Sequence, residues 1–375
     1  MRIALLTYST KPRGGVVHTL ALAEALARRG PAGGVDRVDV WTLARGGDTA
    51  FFRAVDPRVG VHAVPFEARE GEDVGDRIVR SIAVLKAAFA AARGDYDVVH
   101  AQDCISTNAA LPCLRTIHHL DHFTTPALAA CHERAVTAPS ARICVSAAVA
   151  EEVRAGWGLT PTVIPNGVDA ARFVAAVDDA PGRARWRERI GGRYVLALGG
   201  IEPRKGSIDL LEAHARMVGA HPDLADVRLV FGGGETLFDY RDYRTAFDAR
   251  ARDLPTPPTV LGPVDDPKLP ALVAEAAALG FVSTQEGFGL AAMEALAAGV
   301  PVVARDLPVL REVFEGAVRF AVDVPAIADA LAAVLRDRPA ASAGQALAAT
   351  YTWDAAAGEH VEFYREALGS SASDR

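Results

Sequence analysis

Two glycine-rich turns constrain the fold of this chain more than any other feature. Each follows a short apolar, strand-like run and precedes residues with helical spacing: Gly14-Gly15 follows residues 3–8, and residues 199–206 follow residues 194–198. Short strands that alternate with helices predict βαβ units and a mainly parallel sheet. The alternation stops after Asp169 and restarts at Tyr194, so the 375 residues are predicted to form two α/β halves.

Composition sets the predicted boundaries. Residues 1–169 are predicted to form one Rossmann-like domain and residues 193–350 a second, joined by a charged linker over residues 170–192. Residues 351–368 predict an amphipathic helix, and the small polar residues 369–375 predict a disordered tail. Ligands of such sheets bind beyond the carboxyl ends of the strands. We therefore expect the chemistry on loops that face a central cleft between the domains.

Composition also argues against several classes of protein. The formal net charge of −7 argues against a nucleic-acid-binding protein. The four cysteines, at positions 104, 113, 131 and 144, form no CxxC pair, which argues against a disulfide scaffold or a zinc ribbon. No apolar run reaches the roughly 18–20 residues of a membrane span. The strand-like run begins at Ile3, which leaves no room for a leader and predicts a cytoplasmic protein.

Basic residues beside both glycine turns predict phosphate binding. Residues 11–15 read Lys-Pro-Arg-Gly-Gly and residues 202–206 read Glu-Pro-Arg-Lys-Gly. Backbone N–H groups at a helix N-terminus bind anions, and adjacent cations add to the attraction. Only four of the 40 basic residues are lysines, so Lys205 stands out. The GxGxxG fingerprint fails at Val17 and Leu20, which disfavours a dehydrogenase. Ordinary tight turns remain the alternative.

Two glutamates eight positions apart, Glu286 and Glu294, mark a third region. On one helix they would be separated by about 12 Å, whereas the carboxylates of a glycosidase lie about 5–9.5 Å apart. We expect them instead to contact two ends of one long ligand. A helix-capping glutamate and a buried ion-paired glutamate remain the alternative.

Histidines follow another predicted strand at His118 and His122, with Asp121 between them. These residues could ligate a metal, but no HExxH motif accompanies them, and the DxD at residues 95–97 leads into a strand and reads as a turn. A polar strand-end site near a ligand is the favoured interpretation, and no metal is predicted.

Together these motifs resemble the retaining glycosyltransferases of family four, which have the GT-B fold. The resemblance spans nearly the whole chain and rests on Gly14-Gly15, Thr116-Ile117-His118 and residues 164–169, 202–206 and 286–294. It implies transfer of a sugar from a nucleotide-diphosphate sugar with retention of configuration and no cofactor. Cations that stabilise the leaving diphosphate would make a metal unnecessary. The last helix would cross back onto the N-terminal, acceptor-side domain.

The resemblance also implies roles for single residues. Arg204 and Lys205 would hold the donor diphosphate, and Gly15 would approach the donor phosphate or the acceptor. His118 and Glu286, the predicted catalytic residues, would lie at the transferred sugar. Glu294 would bind the ribose and the backbone at Val264 the base. The residues assigned to the donor sugar and nucleotide are Val264, Gly287, Phe288, Gly289, Leu290 and Glu294.

Two departures from the family pattern stand in this sequence. Gly200 replaces an arginine that many members have, so a phosphate contact would have to come from elsewhere, for example Arg13. Val282 replaces a proline, which we interpret as a packing change.

Three questions stay open at the level of sequence. A nucleotide-sugar epimerase and a non-catalytic nucleotide-sugar-binding protein would share the diphosphate site. The acceptor, whether small molecule, glycan or lipid, is unidentified. The helix predicted over residues 74–93 carries Arg77, Arg80, Lys86 and Arg93. These side chains would contact anionic lipid or an acceptor phosphate, or form an ordinary solvated face.

Overall fold

A computed structural model describes residues 1–47, 49–67, 69–120, 126–234 and 240–373. The chain divides into two compact units. Unit 1 comprises Met1–Gly167 with Tyr351–Arg375, and unit 2 comprises Val168–Thr350. In the described ranges, no helix is both long and apolar enough to cross a membrane.

A parallel sheet of seven strands forms the centre of unit 1. Its strands are β1 Arg2–Leu6, β2 Arg37–Arg45, β3 Val59–Phe66, β4 Val98–Ala101, β5 Leu114–Ile117, β6 Ala141–Cys144 and β7 Thr162–Val163. Their order is β3-β2-β1-β4-β5-β6-β7. Residues 3–6 of β1 are fully buried, as expected for a strand covered on both faces.

Helices connect these strands. They are α1 Gly14–Arg29, α2 Val74–Ala90, α3 Cys104–Ala110, α4 Pro126–Thr137 and α5 Ala147–Trp157. Among the helices whose N-terminal caps lie in the described residues, side chains cap three: Asp73 caps α2, Asp103 forms a capping box with Ser106 at α3, and Ser146 caps α5. No side chain caps α1, which begins at the first glycine turn.

Unit 2 is built on a second parallel sheet, of six strands. They are β8 Tyr194–Leu198, β9 Arg228–Gly232, β10 Thr259–Gly262, β11 Ala278–Phe281, β12 Val302–Arg305 and β13 Arg319–Ala321, in the order β10-β9-β8-β11-β12-β13. Its helices are α6 Ala170–Ala175, α7 Ala180–Ile190, α8 Ser207–Ala220, α9 Arg241–Arg252, α10 Leu269–Glu275, α11 Leu290–Ala297, α12 Pro308–Phe314, α13 Val324–Asp337 and α14 Ser342–Thr350. The prediction of two parallel α/β halves is confirmed.

Residues 170–192, expected to be a linker, instead contain the helices α6 and α7 of unit 2. Trp186 is buried, and its indole N–H donates to the carbonyl of Lys268 at 3.1 Å. Arg183 and Arg187 both pair with Glu275, at 3.0 and 2.6 Å. Arg183 and Arg187, two of the charges that suggested a linker, are therefore ion-pair partners of an acidic residue within the same unit.

The last helix, α15 Trp353–Ser373, belongs to unit 1 and packs against α1. Arg28 of α1 pairs with Asp354 at 2.8 Å. The helix continues through residues 369–373, where the sequence predicted a disordered tail. Gly167 explains part of this docking, because a Cβ at Gly167 would overlap the backbone of Trp353.

Candidate active site

In unit 2, the candidate residues gather where the strand order reverses. The connection from β8 leads to β9 on one side, whereas the next strand on the other side is β11. Loops that leave two such neighbouring strands in opposite directions open a crevice at their carboxyl ends. The loop after β8 carries Arg204 and Lys205, and the loop after β11 carries Glu286.

Glycines allow these loops to approach each other closely. Gly206 has φ +62° and caps α8, and a Cβ there would overlap the carbonyl oxygen of Val282. A Cβ at Gly200 would lie 2.8 Å from the carbonyl oxygen of Gly234. The arginine of the family pattern therefore does not fit at position 200 unless the loop after β9 moves away.

Glu286 is the centre of a cluster of charges. Its Oε1 accepts hydrogen bonds from the Lys205 ammonium and, at 2.8 Å, from the Ser283 hydroxyl. Arg204 Nη1 lies 3.5 Å from the same oxygen, and Arg204 Nη2 lies 3.2 Å from Glu202 Oε1. Burial alone would raise the pKa of Glu286, but Lys205, Arg204 and Ser283 outweigh it and lower the pKa to about 2.

This cluster is compensated in charge: two cations face two carboxylates. The side chains of Arg204 and Lys205 are 26% and 20% exposed, so both remain open to a ligand. Phosphate oxygens of a bound dianion would take the place of the carboxylate oxygens, because guanidinium and ammonium groups form charge-assisted hydrogen bonds with both. The spacing of the motifs predicted the cations but not their pairing with Glu286.

The residues between the two glutamates form the start of α11. Gly289 caps this helix with φ +106°, and a Cβ there would lie 2.8 Å from the ring of Phe314. Phe288 is 3% exposed, so its side chain belongs to the core. Gly287 is buried, and Leu290 is the first, half-buried residue of α11. No side chain caps the first N–H groups of α11.

Glu294 lies on α11, half-buried. Its pKa is raised to about 8, chiefly by burial; the charge of Arg172 opposes this shift, and the charges of Asp266 and Asp169 add to it. Among the described residues, none donates a hydrogen bond to its carboxyl group. The half-buried carboxyl group of Glu294 is therefore available to hydroxyl groups of a ligand.

Val264 follows β10 and is half-buried. It lines a concave surface of unit 2 together with Trp186, Arg189, Leu261 and Lys268. The Arg189 guanidinium lies 5.1 Å from the centre of the Trp186 ring. The predicted base-binding position therefore adjoins an aromatic and cationic surface.

In unit 1, the strand order reverses between β1 and β4, and His118 and Gly15 meet near that point. A Cβ at Gly15 would lie 3.6 Å from the ring of His118, and His118 Nε2 lies 3.3 Å from Gln102 Oε1. Burial, assisted by His119 and Arg115, lowers the pKa of His118 to about 3. His118 is therefore neutral at physiological pH.

His18, which the sequence analysis did not single out, packs against His118. Their ring centres lie 4.6 Å apart, edge to face. His18 is buried, its Nδ1 lies 2.8 Å from Asn166 Oδ1, and its ring packs against Trp353 at 5.3 Å. Burial and the neighbouring histidines lower its pKa well below the usual value. A histidine on the apolar face of the first helix was the signal that could have identified it.

Asp121 and His122, which were considered with His118 as metal ligands, lie outside the described residues. Elsewhere in the described chain, no three His, Cys, Asp or Glu side chains are grouped as metal ligands. In the DxD segment, Asp97 pairs with Arg2 at 2.9 Å, a structural contact.

Two doubly wound sheets, each with polar residues at its switch point, define the GT-B class of protein. Solved structures confirm the fold: sucrose-phosphate synthase from Thermosynechococcus elongatus aligns over 98% of this chain and 99% of its own, with TM-score 0.76 and 21% identity. HepE of Anabaena, solved with UDP and glucose, aligns with TM-score 0.74 and 19% identity over 98% of this chain and 99% of its own.

Sequence comparison identifies the family. Residues 12–172 match Glycosyltransferase Family 4, and residues 182–346 match Glycosyl transferases group 1. A D-inositol 3-phosphate glycosyltransferase of Xylanimonas cellulosilytica is 30% identical over 98% of this chain and 97% of its own length. A phosphatidyl-myo-inositol mannosyltransferase of Mycobacterium tuberculosis is 30% identical over 75% of this chain and 76% of its own. The chain belongs to the family 4 glycosyltransferases and is an enzyme.

Proposed function

We propose that the enzyme transfers a sugar from a nucleotide-diphosphate sugar to a phosphorylated inositol, with retention of anomeric configuration and without a metal ion. The observation that carries the donor half of this proposal is the pair of cations, Arg204 and Lys205, at the switch point of unit 2. The acceptor and the retention of configuration are inferred from the family and from the activities for which the relatives are named.

The donor is assigned to unit 2. Arg204 and Lys205 bind the diphosphate when it displaces Glu286 as their partner. The uncapped N–H groups at the start of α11 offer further hydrogen bonds to the donor. Glu294 binds the ribose hydroxyls and the backbone at Val264 the base.

The same cations support a metal-independent reaction. As the bond to the sugar breaks, negative charge grows on the leaving diphosphate, and fixed positive groups stabilise that charge without reorganisation. Glu286 holds Arg204 and Lys205 in place before the donor binds. During transfer its carboxylate lies beside the sugar, together with Gly287 and Gly289.

Unit 1 contributes neutral groups to the reaction. His118, whose pKa of about 3 keeps it uncharged, accepts or donates a hydrogen bond at the transferred sugar without adding charge there. Gly15 leaves room for a phosphate or acceptor group beside that ring, because a side chain would occupy this space.

A group of arginines in unit 1 supports a phosphorylated acceptor. The pKa of Arg45 is lowered to about 10, chiefly by burial; Tyr8 and Asp103 oppose this shift, and the positive charges of Arg77 and Arg13 add to it. Arg45 donates to Ser81 at 3.0 Å and to the carbonyl of Tyr8 at 3.3 Å, so it is fixed beside the loop after β1. Arginines crowded in this way favour a bound phosphate, and both relatives are named for phosphorylated inositols.

The direct test is a panel of nucleotide sugars incubated with inositol 3-phosphate, with NMR of the product's anomeric centre. Transfer with retention, undiminished in excess chelator, is the expected result. Loss of turnover in chelator that a divalent cation restores would contradict metal independence. Epimerisation of the donor alone would favour an epimerase, and thermal stabilisation by a donor without turnover on any acceptor would favour a binding protein.

A further inference from the structure

The four cysteines of the chain occupy two kinds of environment. Cys113 and Cys144 are 4% and 0% exposed, and burial raises the pKa of each thiol to about 12. Cys104 and Cys131 are partly exposed, and their Sγ atoms lie 3.4 Å apart. Only this second pair combines access to solvent with a nearby thiol.

Asn108 fixes the two cysteines relative to each other. Its side-chain amide donates to the backbone carbonyls of Cys104 and Cys131, each at 2.9 Å. The same nitrogen lies 3.3 Å from Cys131 Sγ and 3.7 Å from Cys104 Sγ. One side chain thus holds α3 and α4 together at the positions where their thiols meet.

The surroundings make Cys131 the more reactive thiol. Hydrogen bonding to Cys104 lowers the pKa of Cys131; burial opposes this effect and the charge of Arg115 assists it. Cys131 Sγ is also the sulfur nearer to the Asn108 amide. Because the thiolate is the nucleophile in exchange with disulfides, Cys131 reacts first.

We propose that Cys104 and Cys131 form a redox modification site, a dithiol that reduces a low-molecular-weight disulfide and closes into an intramolecular disulfide. The Cys131 thiolate attacks one sulfur of the reagent, forms a mixed disulfide and releases one thiolate. Cys104 then loses its proton to solvent and attacks Cys131 Sγ, and the second reagent thiolate leaves. The protein loses two electrons and two protons, and the reagent is reduced to two thiols.

The geometry suits the second step. The sulfurs must approach from 3.4 Å to a bonded distance of about 2.05 Å. This change is within reach of side-chain rotation at two partly exposed residues. An intramolecular thiol at this distance has a high effective concentration, so the mixed disulfide resolves before a second reagent molecule reacts.

The test treats the folded full-length protein with oxidised glutathione and follows free thiols, intact mass and peptide maps. The native protein is expected to lose two thiols, retain no glutathione and yield a peptide linked through Cys104 and Cys131. In Cys104→Ser one glutathione should remain on Cys131. In Cys131→Ser thiol loss should be about tenfold slower or more.

Cys113→Ser is the matched control, and its Cys104–Cys131 disulfide should form at the same rate as in the native protein. A glutathione adduct that persists on the native protein would overturn the proposal. So would a disulfide that includes Cys113 or Cys144, or no reaction in the folded protein when the denatured protein loses its thiols. The peptide map of the native protein decides the question even where a variant fails to fold.

Discussion

The two units place their candidate residues at the same point of similarly ordered sheets, but these residues are charged in unit 2 and neutral in unit 1. In unit 2, Arg204 and Lys205 face Glu286, and the pKa of Glu286 is about 2. In unit 1, His118 and His18 pack edge to face, and burial keeps both rings neutral. One switch point is a set of compensated charges, and the other is a set of desolvated neutral groups.

This difference matches the chemistry that the proposed reaction demands of each unit. A diphosphate leaving group needs cations that are already in position. The group transferred and the acceptor hydroxyl are neutral, so neutral hydrogen-bonding groups suit them. Changes at Arg204, Lys205 and Glu286 should therefore act through charge, and changes at His118 and Gly15 through shape and hydrogen bonding.

The largest effect is expected for Glu286→Gln. The variant loses the charge that holds Arg204 and Lys205 and that lies at the donor sugar, so kcat should fall about a hundredfold while KM changes less. Steady-state kinetics with the donor found in the panel measures this. Glu315→Gln, at an exposed ion pair of the same unit, is the control. A higher KM at unchanged kcat would assign Glu286 to ground-state binding only.

A smaller effect, through shape, is expected for Gly15→Ala. The added methyl group would meet His118 at 3.6 Å, an ordinary contact, so folding is not disturbed. It would occupy space assigned to a ligand, and kcat/KM should fall roughly tenfold. Gly14→Ala is the matched control, because nothing lies within 4 Å of a Cβ there. Equal activity of the two variants would remove Gly15 from the site.

Sequence motifs identified the residues that the structure brings together in unit 2 more completely than those that it brings together in unit 1. Lys205 and Glu286 lie in loops whose order along the chain is itself the signal. His18 and Asn166 are 148 positions apart, and Cys104 and Cys131 are 27 apart, so only the folded chain reveals these pairs. The segment 170–192 was misassigned because the partners of its arginines, such as Glu275, come about 90 positions later.

The neutral histidines of unit 1 predict sensitivity to acid. The pKa of His118 is about 3 in the folded protein and near 6.5 unfolded. Between these pH values the imidazole of His118 is protonated in the unfolded chain but not in the folded protein. The free energy of unfolding therefore decreases as pH falls from 6.5 towards 3, by at most about 1.4 kcal/mol per pH unit. Denaturant unfolding of His118→Gln should show a shallower decline than the native protein. Identical declines would contradict a buried neutral His118.

For Glu294 of unit 2 we expect the opposite dependence, a free energy of unfolding that decreases as pH rises. Its pKa of about 8 in the folded protein exceeds the unfolded value of 4.5, so the folded state holds the proton more tightly. The contribution of Glu294 to the free energy of unfolding is fully present below pH 4.5 and is lost as pH rises towards 8. Unfolding free energies between pH 5 and 8 should fall less steeply in Glu294→Gln. An unchanged slope would show that Glu294 is ionised at neutral pH.

The central claim, that the cations of unit 2 bind the donor diphosphate, is tested most directly by calorimetry of Lys205→Ala. Uridine, adenosine and guanosine diphosphates are titrated, each beside its nucleoside, with Arg336→Ala, at an exposed ion pair, as the control. The diphosphate that binds the native protein should bind Lys205→Ala about tenfold to a hundredfold more weakly, because a charged hydrogen bond contributes about 1.5–3 kcal/mol, while nucleoside binding stays the same. Undiminished diphosphate binding, or an equal loss for the nucleoside, would contradict the claim.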